Sequence, residues 1–115
     1  RLRLIQSAKE EHPFVSRVAN VVLVTALENE EIAVSQMNAY LRSKFGEHVL
    51  LRNVREYAGG GKRLECDVFL VAVSHLNIPD FLDVFRQASW NWPEEVQLMI
   101  KDQEDTIFSI HSPAR

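Results

Sequence analysis

Cysteine is nearly absent from this 115-residue sequence, which contains only Cys66. A single cysteine cannot form an intramolecular disulfide, and this excludes the disulfide-stapled secreted mini-domains. We therefore expect a reducing, cytoplasmic location. The four histidines lie far apart in the sequence, and neither they nor Cys66 show the spacing of a zinc-ligand set. The sequence thus predicts no metal site and no cofactor.

Long apolar runs and an excess of positive charge are also missing. No apolar segment approaches the roughly 20 residues that span a bilayer, so we expect no membrane association. The chain carries 13 basic and 16 acidic side chains, a formal net charge of −3. Without a broad positive field, binding to nucleic acid is not expected either. The 46% of apolar residues in a chain of this length is typical of one globular domain, residues 1–115.

Glycine is scarce, and three of the four glycines are consecutive within the segment Ala58–Arg63. Consecutive glycine amides followed by Lys62 could cradle a phosphate. The phosphate-loop fingerprint, however, needs two glycines separated by four residues, then Lys and Ser or Thr at the start of a helix. Here Arg63 follows Lys62 and a strand follows both, so the pattern favours a hairpin tip.

Hydrophobic periodicity predicts two helices and five strands. Asn29 is the expected N-cap of the first helix, which Gly46 ends, and Asn77 with Pro79 starts the second. The segment from Arg17 to Leu27 predicts a strand buried on both faces. The other predicted strands are Val49–Tyr57, Arg63–Ser74, Val96–Ile100 and Thr106–His111, and residues 1–14 are expected to form a short N-terminal helix or an extension.

The order β-α-β-β-α-β-β is that of an α+β domain. Its first six elements resemble the ferredoxin-like split β-α-β plan, an antiparallel sheet with both helices on one face and the first and third strands in the centre. The final strand would extend this sheet beside its hairpin partner. A longer antiparallel meander is the alternative arrangement, because one sequence does not determine strand order.

Two acidic residues, Glu65 and Asp67, share one face of the third strand. Arg52 or Arg55 would lie opposite them, depending on the register, and cross-strand ion pairs then account for the charges. Two carboxylates at this spacing could also serve acid–base catalysis. No pocket signature accompanies them, so the pairing interpretation is favoured.

Three further acidic residues, Asp102, Glu104 and Asp105, crowd one short turn. The turn lacks the glycine and the terminal glutamate of a calcium loop, so calcium binding is not expected. It is either a solvated hairpin turn or an acidic patch for a basic partner.

Trp90 and Trp92 flank Asn91 after the second helix. Tryptophan is enriched at binding hot spots, and it is also a frequent core residue whose ring N–H bonds a carbonyl. We therefore expect one ring in the core and the other partly exposed.

Cys66 shares a strand face with Leu64, Val68 and Leu70, which predicts a buried, inert thiol. A nucleophilic role would need a nearby base and a lowered pKa, and no histidine stands in a recognisable local signature. The sequence therefore predicts no catalytic residue.

Several segments of the second half of the chain follow one another in a familiar layout: Leu64–Phe69, the helix from Ile78, Trp92-Pro93, Val96–Asp105 and Ile107-Phe108. This layout resembles the small immunity proteins of bacterial polymorphic toxin systems, in which a strand, an acidic turn and a final strand close the domain. The resemblance implies a non-enzymatic cytoplasmic inhibitor that binds a cognate toxin.

A protein-binding domain of this immunity or antitoxin type is the leading hypothesis, because acidic side chains would steer a basic toxin to the surface. The expected partner-binding residues are Glu65, Asp67, Trp90, Trp92, Asp102, Glu104 and Asp105. One alternative is a ferredoxin-like small-ligand or regulatory domain, forming a homodimer through a sheet face with Phe69, Val71 and Val73. Another is a small enzyme that uses Cys66, or the carboxylates, with a histidine.

Overall fold

The computed structural model of the protein describes residues 17–26 and 28–114. The predicted N-terminal helix or extension, residues 1–14, lies outside these ranges. None of the described helices is long and apolar enough to cross a membrane. The elements are β1 (Val18–Thr25), α1 (Glu31–Phe45), β2 (Arg52–Asn53), β3 (Asp67–Ser74), α2 (Ile78–Gln87), β4 (Val96–Asp102) and β5 (Ser109–His111), with short 3-10 helices at Arg55–Tyr57 and Pro93–Glu95.

The five strands form one sheet in the order β2-β3-β1-β4-β5, and every neighbouring pair is antiparallel. The predicted α+β class and the predicted order of elements are confirmed. The first and third strands are interior, as expected, and β5 extends the sheet beside β4. A meander would place β1 beside β2, whereas β1 lies between β3 and β4.

The core lies between the two helices and one face of the sheet. Ala19, Val21 and Leu23 of β1 are buried there, together with Phe81 and Phe85 of α2. Burial of each phenylalanine ring stabilises the fold by about 1.5–3 kcal/mol relative to an exposed ring. The intervening β1 side chains, on the other face, are only half-buried. The prediction that β1 is buried on both faces is therefore wrong, because both helices pack on the same side.

This arrangement also decides which face of β3 is buried. Phe69 and Val71 pack against the core and Val73 is buried within it, so the predicted homodimer face built from these three residues is wrong. Val68, Leu70 and Ala72 lie on the opposite face, where Leu70 is exposed. Cys66 is half-buried rather than fully buried, because it precedes the first paired residue of β3.

The predicted helix ends are partly confirmed. The Asn77 side chain accepts a hydrogen bond from the Asp80 amide across 3.1 Å, and Gly46 follows the last residue of α1. The predicted N-cap Asn29 is wrong: Glu30 occupies the cap position, and Asn29 has a φ of 73°. Asn tolerates this left-handed conformation better than most residues, and here it turns the chain from β1 into α1.

Three predicted strands are shorter than expected. Of Val49–Tyr57, only Arg52–Asn53 pairs, because the Asn53 side chain accepts a hydrogen bond from the Arg55 amide and turns the chain into a 3-10 helix. The strand predicted from Arg63 begins at Asp67, and the strand predicted from Thr106 begins at Ser109. The connection between β2 and β3 is consequently a long loop rather than a tight hairpin.

Candidate functional site

One end of the sheet gathers the features that point to function. Thr25, the last residue of β1, pairs with Asp67 at the start of β3 and with Val96 at the start of β4. The chain then passes from Thr25 directly into α1. The end of β1 and the starts of β3 and β4 therefore lie side by side at Thr25.

The Glu30 carboxylate connects the start of α1 to the loop before β4 through hydrogen bonds. Glu30 is only 5% exposed. Oε1 accepts a hydrogen bond from the Asn91 amide at 2.8 Å, and Oε2 accepts one from the Trp92 amide at 3.0 Å. A buried carboxylate needs such donors, because burial without hydrogen bonds would be strongly unfavourable. The cap residue of α1 thus holds the loop that precedes β4.

Further bonds fix the same loop to α1. The Ser89 amide donates to Gln36 Oε1 at 2.7 Å, and Gln36 Nε2 donates to Ser89 Oγ at 3.0 Å. Asn91 Nδ2 donates to the Asn29 carbonyl. Together these contacts hold residues 89–92 in one conformation.

The two tryptophans of this loop have different environments. Trp90 packs against the core, its Nε1 donates to the Phe85 carbonyl at 2.7 Å, and its ring meets the Phe85 ring edge-on at a centroid distance of 5.6 Å. Trp92 is 49% exposed. The prediction of one core and one partly exposed tryptophan is confirmed. Trp92 is thus an exposed aromatic side chain on an anchored loop backbone.

Exposed glutamates follow Trp92 in the chain, and others lie at the same end of the sheet. Glu95 donates its amide to the Trp92 carbonyl at 2.8 Å and accepts a hydrogen bond from the Ala26 amide at 3.0 Å. We call this end of the sheet the acidic end; its exposed carboxylates are those of Glu28, Glu31, Glu65, Glu94 and Glu95. All five lie within six residues of Thr25 or of its partners Asp67 and Val96, and so at one end of the sheet.

Three basic side chains, Arg55, Lys62 and Arg63, lie on the β2 side of this end. Arg55 Nη1 lies 3.2 Å from Asp67 Oδ1, which Asn53 Nδ2 also contacts at 3.1 Å. This confirms the predicted pairing of Asp67 with a nearby arginine. Lys62 and Arg63 line a shallow depression together with Arg55. The Trp92 side is therefore the negative part of this surface.

A groove of about 580 Å³ runs between the start of α1 and the β2 side, lined by Thr25, Asn38 and Arg55 among others. Among the described residues, Arg55 Nε is the buried side-chain nitrogen or oxygen atom that lacks a hydrogen-bond partner. No group of three or more His, Cys, Asp or Glu in the described ranges is placed to hold a metal ion. Hydroxyl, amide and carboxylate groups line the groove, so it offers hydrogen-bond donors and acceptors.

The acidic turn lies at the other end of the sheet. Asp102 pairs with Ala19, six positions along β1 from Thr25, a separation of about 20 Å. Asp102 forms an ion pair with Arg17, and its amide donates to Asp105 Oδ2 at 3.0 Å. Carboxylates engaged in this way hold the turn together. The seven predicted partner-binding residues therefore do not form one surface: Glu65, Asp67 and Trp92 lie at the acidic end, Trp90 packs against the core, and Asp102, Glu104 and Asp105 lie at the far end.

Sequence reasoning missed most of the acidic end. Glu28 and Glu31 stand at a predicted helix start, a context that suggests no shared surface, and Glu94 and Glu95 carry no sequence prediction. The available signal was the pair Glu94-Glu95 directly after Trp92-Pro93, a run of acids beside an aromatic residue. Glu30 gave no signal, because its partners Asn91 and Trp92 are remote in the sequence.

Comparison with protein-family models, with curated proteins and with solved structures finds no match for this chain.

Proposed function

We propose that this protein is a non-enzymatic protein-binding domain whose acidic end recognises a basic partner, and that it acts as an immunity- or antitoxin-like inhibitor of a cognate toxin in the cytoplasm. The observation that carries the proposal is Trp92, a half-exposed tryptophan on an anchored loop, which exposed glutamates follow in the chain. Tryptophan is the residue type most enriched at binding hot spots. Flanking carboxylates would accelerate association with a basic surface.

The rigidity of the loop supports the same proposal. Binding costs less free energy when the contacting side chains are held in place before the partner arrives. The hydrogen bonds of Glu30 and Gln36 fix the loop backbone up to Trp92, and the Glu95 amide donates to the Trp92 carbonyl on the other side. A loop backbone held in this way loses little conformational freedom on binding.

For the fold we propose the ferredoxin-like split β-α-β plan with β5 added at one edge. The order β2-β3-β1-β4, the antiparallel pairings and the position of both helices on one face support this assignment. The fold itself carries no functional argument, because many unrelated activities share this plan.

Co-purification with the product of the adjacent gene tests the proposed function. We expect the tagged protein to retain that product, and Trp92→Ala to lose it. Glu47→Lys is the matched control, since Glu47 is exposed and lies beyond the opposite end of α1. Failure of the wild-type protein to retain the product, or equal retention by Trp92→Ala, would contradict the proposal.

A further inference from the structure

The groove beside the start of α1 contains a hydrogen-bond donor that the fold does not satisfy. This is the groove of about 580 Å³ that Thr25, Asn38 and Arg55 help to line. Among the described residues, Arg55 Nε is the buried side-chain nitrogen or oxygen atom without a hydrogen-bond partner. Folded proteins leave few such atoms unpaired, because each one costs stability. A ligand in the groove that supplies an acceptor accounts for this one.

Thr25 provides a second donor in the same groove. Buried and half-buried residues alternate along β1, which directs the Thr25 side chain to the helix side of the sheet, where the groove lies. Thr25 is only 2% exposed. None of the described residues forms a hydrogen bond with its hydroxyl. Valine would fill the same space without the cost of burying an unpaired hydroxyl, so the fold alone does not account for a threonine here.

The two donors share Asp67 as a neighbour. Thr25 pairs with Asp67 across β1 and β3, and Asp67 Oδ1 lies 3.2 Å from Arg55 Nη1. The same three residues also help to line a smaller cavity of about 20 Å³. A carbonyl oxygen has two lone pairs and accepts from two donors at once. One carbonyl group placed in the groove beside Asp67 would therefore satisfy both donors.

The charge of the groove determines which kind of acceptor it favours. Four acidic side chains and one basic side chain line the groove. Because like charges repel, a carboxylate or a phosphate is disfavoured as the acceptor, and an uncharged carbonyl is favoured. Two of the acidic side chains, Glu28 and Glu31, are exposed. They would attract a positive charge elsewhere on the same ligand.

We propose that the groove binds a main-chain segment of the basic partner. A peptide carbonyl of this segment accepts hydrogen bonds from Arg55 Nε and from the Thr25 hydroxyl, and a neighbouring lysine or arginine side chain meets the exposed glutamates of the groove. The assignment rests on the proposed function, which supplies the positive charge of the partner. It adds to Trp92 a second contact at the acidic end, one that reads the backbone of the partner as well as its charge.

Titration with short peptides tests the chemistry of the groove. The full, isotope-labelled chain would be titrated by NMR with an acetylated and amidated tripeptide whose central residue is arginine, norleucine or glutamate. These peptides offer the same main-chain carbonyls and differ in the central side chain. We expect the amide signals of Arg55 and Asn38 to shift, with the tightest binding for the arginine peptide and the weakest for the glutamate peptide. No shift with the arginine peptide, or equal binding of the glutamate peptide, would overturn the proposal.

Thr25→Val tests the hydroxyl itself, because it removes the donor and keeps the size of the side chain. Thr106→Val is the matched control: Thr106 is the other threonine of the chain, is exposed, and follows the acidic turn at the opposite end of the sheet. We expect Thr25→Val to bind the arginine peptide roughly tenfold more weakly without a lower thermal midpoint, since no bond within the fold is lost. Thr106→Val should bind as the wild-type chain does. Unchanged binding by Thr25→Val, or a lower midpoint, would overturn the role of the hydroxyl.

Co-purification separates this proposal from the proposed function. If the wild-type chain retains the product of the adjacent gene, weaker retention by Thr25→Val than by Thr106→Val supports the groove as a partner contact. Equal retention by the two variants overturns the groove assignment and leaves the role of Trp92 intact. If the wild-type chain retains nothing, the proposed function fails, and the peptide titration still decides whether the groove binds a basic main-chain segment.

Discussion

Glu30 Oε2 accepts a hydrogen bond from the Trp92 amide at 3.0 Å, although 62 positions separate the two residues in the sequence. The same carboxylate accepts a second bond from Asn91. A buried side chain at the start of one helix thereby sets the position of an exposed tryptophan on a distant loop. The surface proposed for partner binding depends on this core contact.

Replacement Glu30→Gln should lower the free energy of unfolding by about 1.5–3 kcal/mol, since an amide can accept from one of the two backbone N–H groups and its NH₂ opposes the other. Urea unfolding measures the change. Glu31→Gln is the control, because Glu31 is exposed, and we expect a change within about 0.5 kcal/mol. Equal effects of the two substitutions would contradict the role of Glu30.

The two tryptophans should differ sharply in their contribution to stability. Trp90→Ala removes a ring that packs on Phe85, and we expect a loss of about 3–5 kcal/mol. Trp92→Ala should cost far less, because half of that side chain is exposed. Acrylamide should quench Trp92 fluorescence in Trp90→Phe more strongly than Trp90 fluorescence in Trp92→Phe. Similar quenching of both variants would contradict the described loop.

Removal of the cap of α2 should have a moderate cost. Asn77→Ala deletes the acceptor for the Asp80 amide, and such substitutions cost about 1 kcal/mol. Asn77→Ser keeps a capping oxygen and should retain most of the stability. Thermal unfolding of both variants measures the difference, and no loss in Asn77→Ala would show that the cap contributes little.

The stability of the protein should depend on the protonation of His111. Burial, and secondarily the positive charge of Arg86, lower the pKa of His111 below its ordinary value of 6.5. The unfolded chain therefore binds the proton more tightly, so this contribution to stability is present above pH 6.5 and is lost as the pH falls from there through the lowered folded-state pKa.

His111→Asn should accordingly show a shallower fall in the urea midpoint between about pH 7.5 and about pH 5 than the wild-type chain does. Arg86→Met should shift the slope in the same direction by a smaller amount, because it removes only the second cause. An unchanged slope in His111→Asn would exclude this coupling.

Local signals predicted the elements with strong periodicity or a marked cap. Val96, Leu98 and Ile100 alternate in the sequence and are all buried in β4; Asn77 caps α2 as its residue type suggests. Prediction failed where a remote contact decides the structure. Glu30 displaces Asn29 from the cap position because its carboxylate bonds a loop that follows α2, and no local pattern records that contact.

The candidate site also combines features that have a local sequence signal with features that depend on remote contacts. The different exposures of Trp90 and Trp92 depend on the hydrogen bonds between their loop and the start of α1, because residues two positions apart in an extended strand would share a face. The grouping of Glu28 and Glu31 with Glu94 and Glu95 follows from the pairing of β1 with β4, which only the sheet order reveals. The sequence motif at Asp102–Asp105, by contrast, is visible locally but is used within its own turn and for the ion pair with Arg17.

Calorimetric titration of the co-purified partner into three variants tests the central claim most directly. Trp92→Ala should weaken binding by at least about 2 kcal/mol, roughly 30-fold in Kd. The double substitution Glu94→Lys and Glu95→Lys should also weaken it, and more so at low salt. Glu47→Lys should bind as the wild-type chain does. An affinity that is the same for all three variants would contradict the claim that the acidic end binds the partner.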